Sequence, residues 1–452
     1  MELIRGISGI RGIALKTLSK DTTVSHVKAF SEIQKPGDIL IARDSRPHGE
    51  LLSQVAISAV IKSGRNAWDA GIISTPTAQF LIEKYQLAGG VVITASHNPI
   101  EWNGLKFIDN DGCFLNGEKN SILFELADGI TETINRTPGN TIKFTTGSVE
   151  HIEHTLKLNS IDASNIRKRE FTVVVDAVNG AASTALPKLL KEFGCNVIPV
   201  YCFPDGHFQR GTEPLPENLA ILGETVREHN ADVGFATDPD GDRLAVVDEN
   251  GKPIGEEYTL VICTDGFLSS IKTSAPIVTN LSTTMALDKV AEKYGIEIKR
   301  SAVGEINVVN QMKAVGAQLG GEGNGGVILR ESHYGRDSLV GIAMFLHRMA
   351  FNNESVSEIF KSMPQFVMKK EKIQLVDNDA DGILDMLSKS FPEAQKNTID
   401  GLKLIWKDKW LHVRKSNTEP ILRIYTEATT HSNVDKLVKQ IRKQIGYVVQ
   451  YT

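Results

Sequence analysis

Asp238, Asp240 and Asp242 stand at alternate positions in the run ATDPDGDR, with apolar residues on either side. Three carboxylates brought so close repel one another unless a cation lies among them. A hard divalent ion with oxygen ligands answers that need, Mg²⁺ or Ca²⁺. The plainer alternative is a charged turn, since Asp-Pro-Asp-Gly is also good turn chemistry. An EF-hand would use Asp238, Asp240, Asp242 and Glu249, but Arg243 sits where that loop needs glycine, and the flanks read as strands. Arg243 beside the carboxylates suits an anion brought to the metal. That favours Mg²⁺ acting on a phosphate over a structural Ca²⁺.

A second candidate is the stretch VVITASHNP, which delivers Ser96 and His97 side by side. Neighbours on an extended chain point to opposite faces, so His97 is not expected to be the base for Ser96. The flanks Ala95, Asn98 and Pro99 do not make a GxSxG elbow. Taken alone, Ser96, His97 and Asn98 read as an ordinary turn. In RKSNTEPILR, Arg414, Ser416, Asn417, Thr418 and Arg423 offer two guanidinium forks with hydroxyl and amide donors, a phosphate clamp or simply a polar hairpin. GGEGNGGVI lacks the GK[ST] of a Walker loop and the setting of a dinucleotide loop. Its glycines permit close backbone approach, leaving Glu322 and Asn324 as contacts for sugar hydroxyls.

The elements that must position these residues follow from pattern. Strand, polar turn, helix, glycine and strand succeed one another in GDILIARDSRPHGELLSQVAISAVIKSGRNAWDAG. The same order recurs in FTVVVDAVNGAASTALPKLLKEFGCNVIPVY and in APIVTNLSTTMALDKVAEKYGIEIKRS. Such units imply parallel strands with right-handed crossovers. LKLIWKDKWLHVRKSNTEPILRIYTEA alternates like an antiparallel sheet, and NVDKLVKQIRKQIGYVV is its helix. Linkers are expected near KLNSIDASNIRKRE, DENGKPIGEE and KSMPQFVMKKEK. The expected fold is α/β: three similar mixed or parallel-sheet domains over 1–150, 151–253 and 254–368, then an α+β domain over 369–452, around a central cleft.

Bulk properties agree. At 452 residues the chain needs about three or four cores. Fifty Lys and Arg against 55 Asp and Glu give a net charge of −5, with no basic excess to suggest nucleic acid or an anionic membrane. MELIRGISGIRG lacks the apolar core of a signal peptide, and no apolar run is long enough for a membrane helix. Cys113, Cys195, Cys202 and Cys263 form no CxxC pair and read as reduced thiols in a cytoplasmic protein.

Taken together, TASHNP, DPDGDR, GEGNGG and RKSNTEP, one in each expected domain, resemble the α-D-phosphohexomutase superfamily of phosphoglucomutases, phosphomannomutases and phosphoglucosamine mutases. SGIRG near the start resembles the family's N-terminal arginine motif. The resemblance spans essentially the whole chain. It implies that Ser96 carries a phosphate, donates it to the sugar and takes one back from the other end. It implies one Mg²⁺ per chain held by Ser96, Asp238, Asp240 and Asp242, with Arg11, Lys106 and Arg243 as catalytic cations and Lys106 as general acid/base. His97 and Asn98 become supports of the serine loop. Glu322 and Asn324 hold the sugar in either orientation, and Arg414, Ser416, Asn417, Thr418 and Arg423 grip the idle phosphate. A hexose 1,6-bisphosphate is the expected intermediate and activator, and the partners are sugar phosphates, with a monomer or homodimer as the assembly. The family loop commonly reads Gly-Glu-x-Ser-Gly-His. Here Asn324 and Gly326 take the last polar positions, and Glu305 stands where some relatives have histidine. Glucosamine phosphate is the expected substrate, glucose or mannose phosphate the alternative. A Mg²⁺-dependent sugar phosphatase and a non-catalytic sugar-phosphate-binding protein are the rival readings.

Overall fold

The computed structural model describes residues 3–129, 136–374, 380–415 and 421–445. Those residues form four sheets. The first runs Ile4–Gly6, Gly9–Ile13, Trp102–Asp109, Gly89–Ile93, Ile39–Arg43, Ala67–Ile72, Thr141–Lys143 from edge to edge. Its strands from Gly89–Ile93 onward are parallel, and the rest join antiparallel. The second runs Leu244–Val247, Val233–Thr237, Thr172–Asp176, Asn196–Val200, and the third Ile298–Ser301, Ile277–Asn280, Leu319–Glu322, Gly326–Leu329. The fourth is antiparallel throughout: Val367–Gln374, Ile421–Ala428, Lys409–Lys415, Leu402–Ile405, Gln395–Asn397. Helices Ala380–Ser390 and His431–Ile445 accompany it.

The repeated strand–helix–strand unit is real. Ile39–Arg43 and Ala67–Ile72 pair in parallel across helix Gly49–Lys62. Thr172–Asp176 and Asn196–Val200 do so across Ala185–Glu192, and Ile277–Asn280 and Ile298–Ser301 across Ala286–Lys293. β-Branched runs such as TVVVD suit strands buried on both faces, and Val173, Val174 and Val175 are all fully buried.

Besides the hairpin of Ile4–Gly6 with Gly9–Ile13 in the first sheet, each of the first three sheets adds an antiparallel hairpin to this unit. The turns of those hairpins carry the chemistry. TASHNP joins Gly89–Ile93 to Trp102–Asp109, DPDGDR joins Val233–Thr237 to Leu244–Val247, and GEGNGG joins Leu319–Glu322 to Gly326–Leu329. In the fourth sheet Arg414 ends Lys409–Lys415, which pairs antiparallel with Ile421–Ala428. The first three motifs are therefore topological equivalents.

One expected linker is wrong. Within KSMPQFVMKKEK the chain already forms the edge strand Val367–Gln374, paired along Ile421–Ala428. An edge strand exposes much of itself, so its Lys-rich sequence shows no clean apolar period. KLNSIDASNIRKRE likewise contains a short helix, Ala163–Lys168, capped by the Asp162 side chain accepting from Asn165 N. Among the described residues no helix is long and apolar enough to cross a membrane.

Candidate active site

Ser96 has a left-handed backbone, φ +48°, and is almost fully buried. Such a conformation costs a non-glycine residue about 1–2 kcal/mol. It is held by Arg46, a fully buried side chain. Arg46 Nη2 donates to Ser96 O at 2.6 Å and Asn98 O at 2.7 Å, and Nη1 donates to Pro99 O at 2.6 Å and Trp102 O at 3.1 Å. Asp44 accepts from Arg46 Nε at 3.0 Å and from Thr94 Oγ1, whose oxygen accepts in turn from Ser96 N. One guanidinium thus ties four carbonyls of the turn together.

Ser96 Oγ donates to Asp238 Oδ2 at 3.1 Å, which joins the first hairpin to the second. The three aspartates are buried, and the turn between them needs Gly241: its φ is +77°, and a Cβ there would lie 2.9 Å from Ser74 Cβ. Each carboxylate has its own donors. Asp238 Oδ1 accepts from Asp242 N, Asp240 Oδ2 from Thr75 Oγ1 and Lys106 Nζ at 2.6 Å each, and Asp242 Oδ2 from Arg336 Nη2 at 2.6 Å. Asp240 Oδ1 and Asp242 Oδ1 are buried without a hydrogen-bond partner. One oxygen from each aspartate lies within 4.8 Å of the others. Buried oxygens left over in an all-carboxylate cluster are what a hard divalent cation requires, so the residues fit Mg²⁺. Burial, with Asp242 and Asp240 beside it, pushes the Asp238 carboxyl well above its ordinary range.

The cations gather here. Burial opposes the charge of Lys106, but Asp240 and Asp242 outweigh it and raise its pKa. Lys106 is therefore favoured in its charged, proton-donating form. Arg243 Nη1 donates to Glu213 at 3.0 Å and Nη2 to His97 Nδ1 at 2.9 Å. Arg11 Nη1 donates to Asn98 Oδ1 at 2.9 Å.

His97 corrects one argument and keeps its conclusion. The chain at Ser96 is not extended, and His97 Nδ1 lies 3.4 Å from Ser96 Oγ. That nitrogen already accepts from Arg243, and burial and the guanidinium push the imidazole far below its ordinary pKa. It has no lone pair to offer Ser96 as base.

In the third hairpin Glu322 is pinned on both oxygens: Oε1 accepts from Asn280 Nδ2 at 2.7 Å and Gly304 N at 3.0 Å, Oε2 from Arg336 Nη1 at 2.6 Å. Asn324 turns back on its own loop, its Oδ1 accepting from Gly326 N at 3.2 Å. Glu305 accepts from Gln79 Nε2 and Arg336 Nε. In the fourth sheet Arg414 pairs with Asp400 at 3.2 Å and lies directly opposite Arg423 in the antiparallel register. Two like charges opposite each other favour an anion between them. Asp400 Oδ2 also accepts from Val303 N, the residue before Gly304. Hydrogen bonds and ion pairs run from Arg414 through Asp400, the 303–304 backbone, Glu322 and Arg336 to Asp242. Ser416, Asn417 and Thr418 lie outside the described residues.

Sequence reasoning missed Arg46, Glu213, Arg336 and Asp400. Arg46 and Arg336 follow strands in polar turns, RDSRP and YGRDS. Their partners in the serine and aspartate loops, Ser96 for Arg46 and Asp242 for Arg336, lie 50 and 94 residues away, so no local spacing marks them.

With this geometry described, comparison with known proteins places it. Family models described as phosphoglucomutase/phosphomannomutase alpha/beta/alpha domains I, II and III match residues 2–133, 149–251 and 255–366. The C-terminal domain of the same family matches 374–444. A phosphoglucomutase/phosphomannomutase of Thermococcus kodakarensis is 35% identical over 94% of this chain and 94% of its own. A phosphoglucosamine/phosphogalactosamine mutase of Sulfurisphaera tokodaii is 30% identical over 97% of this chain and 98% of its own. The crystal structure of a phosphoglucomutase/phosphomannomutase family protein from Burkholderia thailandensis superposes with a TM-score of 0.87 at 27% identity, covering 98% of this chain and 96% of that one.

Proposed function

The chain belongs to the phosphoglucomutase/phosphomannomutase family, an intramolecular phosphotransferase, and on that premise we propose that it interconverts glucosamine 6-phosphate and 1-phosphate through a phosphoserine at Ser96. The observation that carries this reading is Ser96 Oγ bonded to Asp238 beside two buried, unpartnered carboxylate oxygens. A hydroxyl so placed can exchange a phosphoryl group where charge is already neutralised.

In the forward reaction the Ser96 Oγ–P bond breaks as a sugar hydroxyl forms its own bond to phosphorus. The proton leaves the sugar and serine reclaims one. The resulting hexose 1,6-bisphosphate turns over in the cleft and returns its other phosphoryl group to Ser96. Asp238, Asp240 and Asp242, with the phosphate on Ser96, would hold Mg²⁺, which supplies charge neutralisation to the transferring group. Lys106 and Arg243 line that group, and Lys106 passes the proton. Arg46 keeps the serine turn in place, and Glu322 receives sugar hydroxyls or the charged amine of glucosamine. Arg414 and Arg423 hold the phosphate that is not reacting. Each of the four sheets, with its helices, lends one wall.

A glucose or mannose substrate is the second reading, favoured by the name of the Thermococcus kodakarensis relative. A coupled assay with the three hexose 1-phosphates, primed with bisphosphate, decides the sugar by comparing kcat/KM. Ser96→Ala should lower turnover by at least about 10³-fold; full activity in that variant would remove the serine from the mechanism. Stoichiometric release of inorganic phosphate in place of the isomeric sugar would make the protein a phosphatase.

A further inference from the structure

Arg336 lies in the turn before helix Ser338–Asn352 and is 9% exposed. Each of its three nitrogens meets a different carboxylate. Nη2 donates to Asp242 Oδ2 at 2.6 Å, Nη1 to Glu322 Oε2 at 2.6 Å and Nε to Glu305 Oε2 at 3.0 Å. These belong to the aspartate loop, the glycine loop and the start of helix Glu305–Val315. Its side chain passes over Gly326, where a Cβ would lie 2.2 Å from Arg336 Cδ and 2.8 Å from Cγ. Gly326 pairs opposite Glu322 in the strand register, so its backbone would accept any residue. The missing side chain serves the arginine, not the turn.

We propose that Arg336 is a positioning residue that ties Glu322 to Asp242, so that the sugar and the phosphoryl-transfer centre keep one spacing through both half-reactions, with Gly326 leaving its path open. The proposal rests on the mutase reading above. Glu322 Oε1 is already taken by Asn280 and Gly304 N, so the Arg336 contact on Oε2 completes its fixation. With Oδ2 of Asp242 engaged, Oδ1 is the oxygen presented to a metal. Losing the guanidinium releases both carboxylates at once, and sugar affinity and metal affinity move together. A lysine keeps the charge but cannot serve three carboxylates with a planar fork.

The test is a double-mutant cycle on the full chain with Arg336→Ala and Gly326→Ala, beside Arg336→Lys. The readouts are KM, kcat, Mg²⁺ affinity by calorimetry and thermal midpoint. Arg336→Ala should raise both KM and the Mg²⁺ dissociation constant by roughly 10–100-fold, and Arg336→Lys should recover part of each. Gly326→Ala should weaken both in the wild-type background. In the Arg336→Ala background, where Cγ and Cδ are gone, it should be nearly silent, within about twofold. Additive losses, or a lower thermal midpoint with KM and Mg²⁺ affinity unmoved, overturn the proposal. If Arg336→Ala does not fold, Gly326→Ala and Arg336→Lys still decide it through the paired shift in KM and Mg²⁺ affinity. A wild-type protein inactive on every hexose phosphate would sink the mutase reading instead, and the cycle would then be read from calorimetry alone.

Discussion

Between the second and third sheets, Phe235 and Phe345 meet edge to face at 5.8 Å, inside one buried apolar cluster that runs from Ile152 to Met363. Between the third and fourth, the ties are polar. Lys403 Nζ donates to Leu281 O, Ser282 Oγ meets His412 Nδ1 at 2.8 Å, Met285 N donates to Glu427 Oε2 at 2.8 Å, and Lys370 reaches Glu256 and Glu257. The buried apolar residues of the fourth sheet form clusters of their own. The first unit is bound to the fused pair by buried polar groups as well: Thr75 Oγ1 donates to Asp240 Oδ2, and Thr77 Oγ1 meets Nδ1 of His151, whose Nε2 reaches Asp337 at 3.0 Å. The serine loop is also tied to the metal loop directly, by Ser96 on Asp238 and Lys106 on Asp240. Arg414 and Arg423, proposed to hold the idle phosphate, sit on a part joined by a handful of exchangeable hydrogen bonds, each worth about 1 kcal/mol net. The proposed bisphosphate, if it turns over in the cleft, would use such a division: a fixed centre and a grip that can let go.

The largest effect should come from breaking the fused core. Phe345→Ala removes a fully buried ring that touches both sheets. It should cost about 3–5 kcal/mol. Denaturant unfolding with hydrogen exchange should show strands of the second and third sheets losing protection together. If the third sheet loosens while Thr172–Asp176 keeps its full protection, the two are separate bodies and the comparison fails.

How much of this was legible in sequence follows the same division. The strand–helix–strand units could be read because their periodicity is local, and the aspartate and serine loops because their chemistry is packed into a few adjacent residues. The strands flanking the aspartate turn were read from their apolar runs, but the hairpins that carry the serine and glycine loops were not, since an antiparallel return of four residues such as Gly326–Leu329 has no signature beyond a turn. Arg336 and Arg46 act on residues far along the chain, and the shared core depends on which faces two sheets turn to each other. The Ser96–His97 geometry was misjudged because a left-handed serine cannot be foreseen from a spacing rule that assumes extended backbone.

The polar contact should respond to acid where the fused core does not. His412 Nε2 faces Asp400 O, an acceptor only, so Nε2 carries the proton and Nδ1 accepts from Ser282. Burial pushes its pKa down from 6.5 to about 4, with Lys403 and Arg414 adding to the push and Asp400 opposing it. In an opened state the ring takes a proton near its ordinary pKa; in the closed state it does not. The contact is therefore at full strength above pH 6.5 and weakens as pH falls toward 4, by up to about 3 kcal/mol. Small-angle scattering across that range should show the fourth unit moving out, and His412→Gln should flatten the response. An unchanged profile in the variant would place the pH sensitivity elsewhere.

The smallest effect tests how finely the contact is balanced. Ser282→Ala deletes one hydroxyl donor to His412 Nδ1 and leaves the Leu281, Met285 and Lys370 ties in place. A loss of about 1 kcal/mol shifts the opened fraction by roughly fivefold. If the closed form holds the idle phosphate, KM for the sugar phosphate should rise, by up to about that factor where the opened form predominates in the free enzyme, while Mg²⁺ affinity stays put. The hydroxyl donates to the neutral ring, so its removal should also move the acid response of His412 to higher pH. A rise in KM accompanied by weaker Mg²⁺ binding would mean that the fourth unit is coupled to the metal loop, through Asp400, Gly304 and Glu322, more stiffly than its few polar ties suggest.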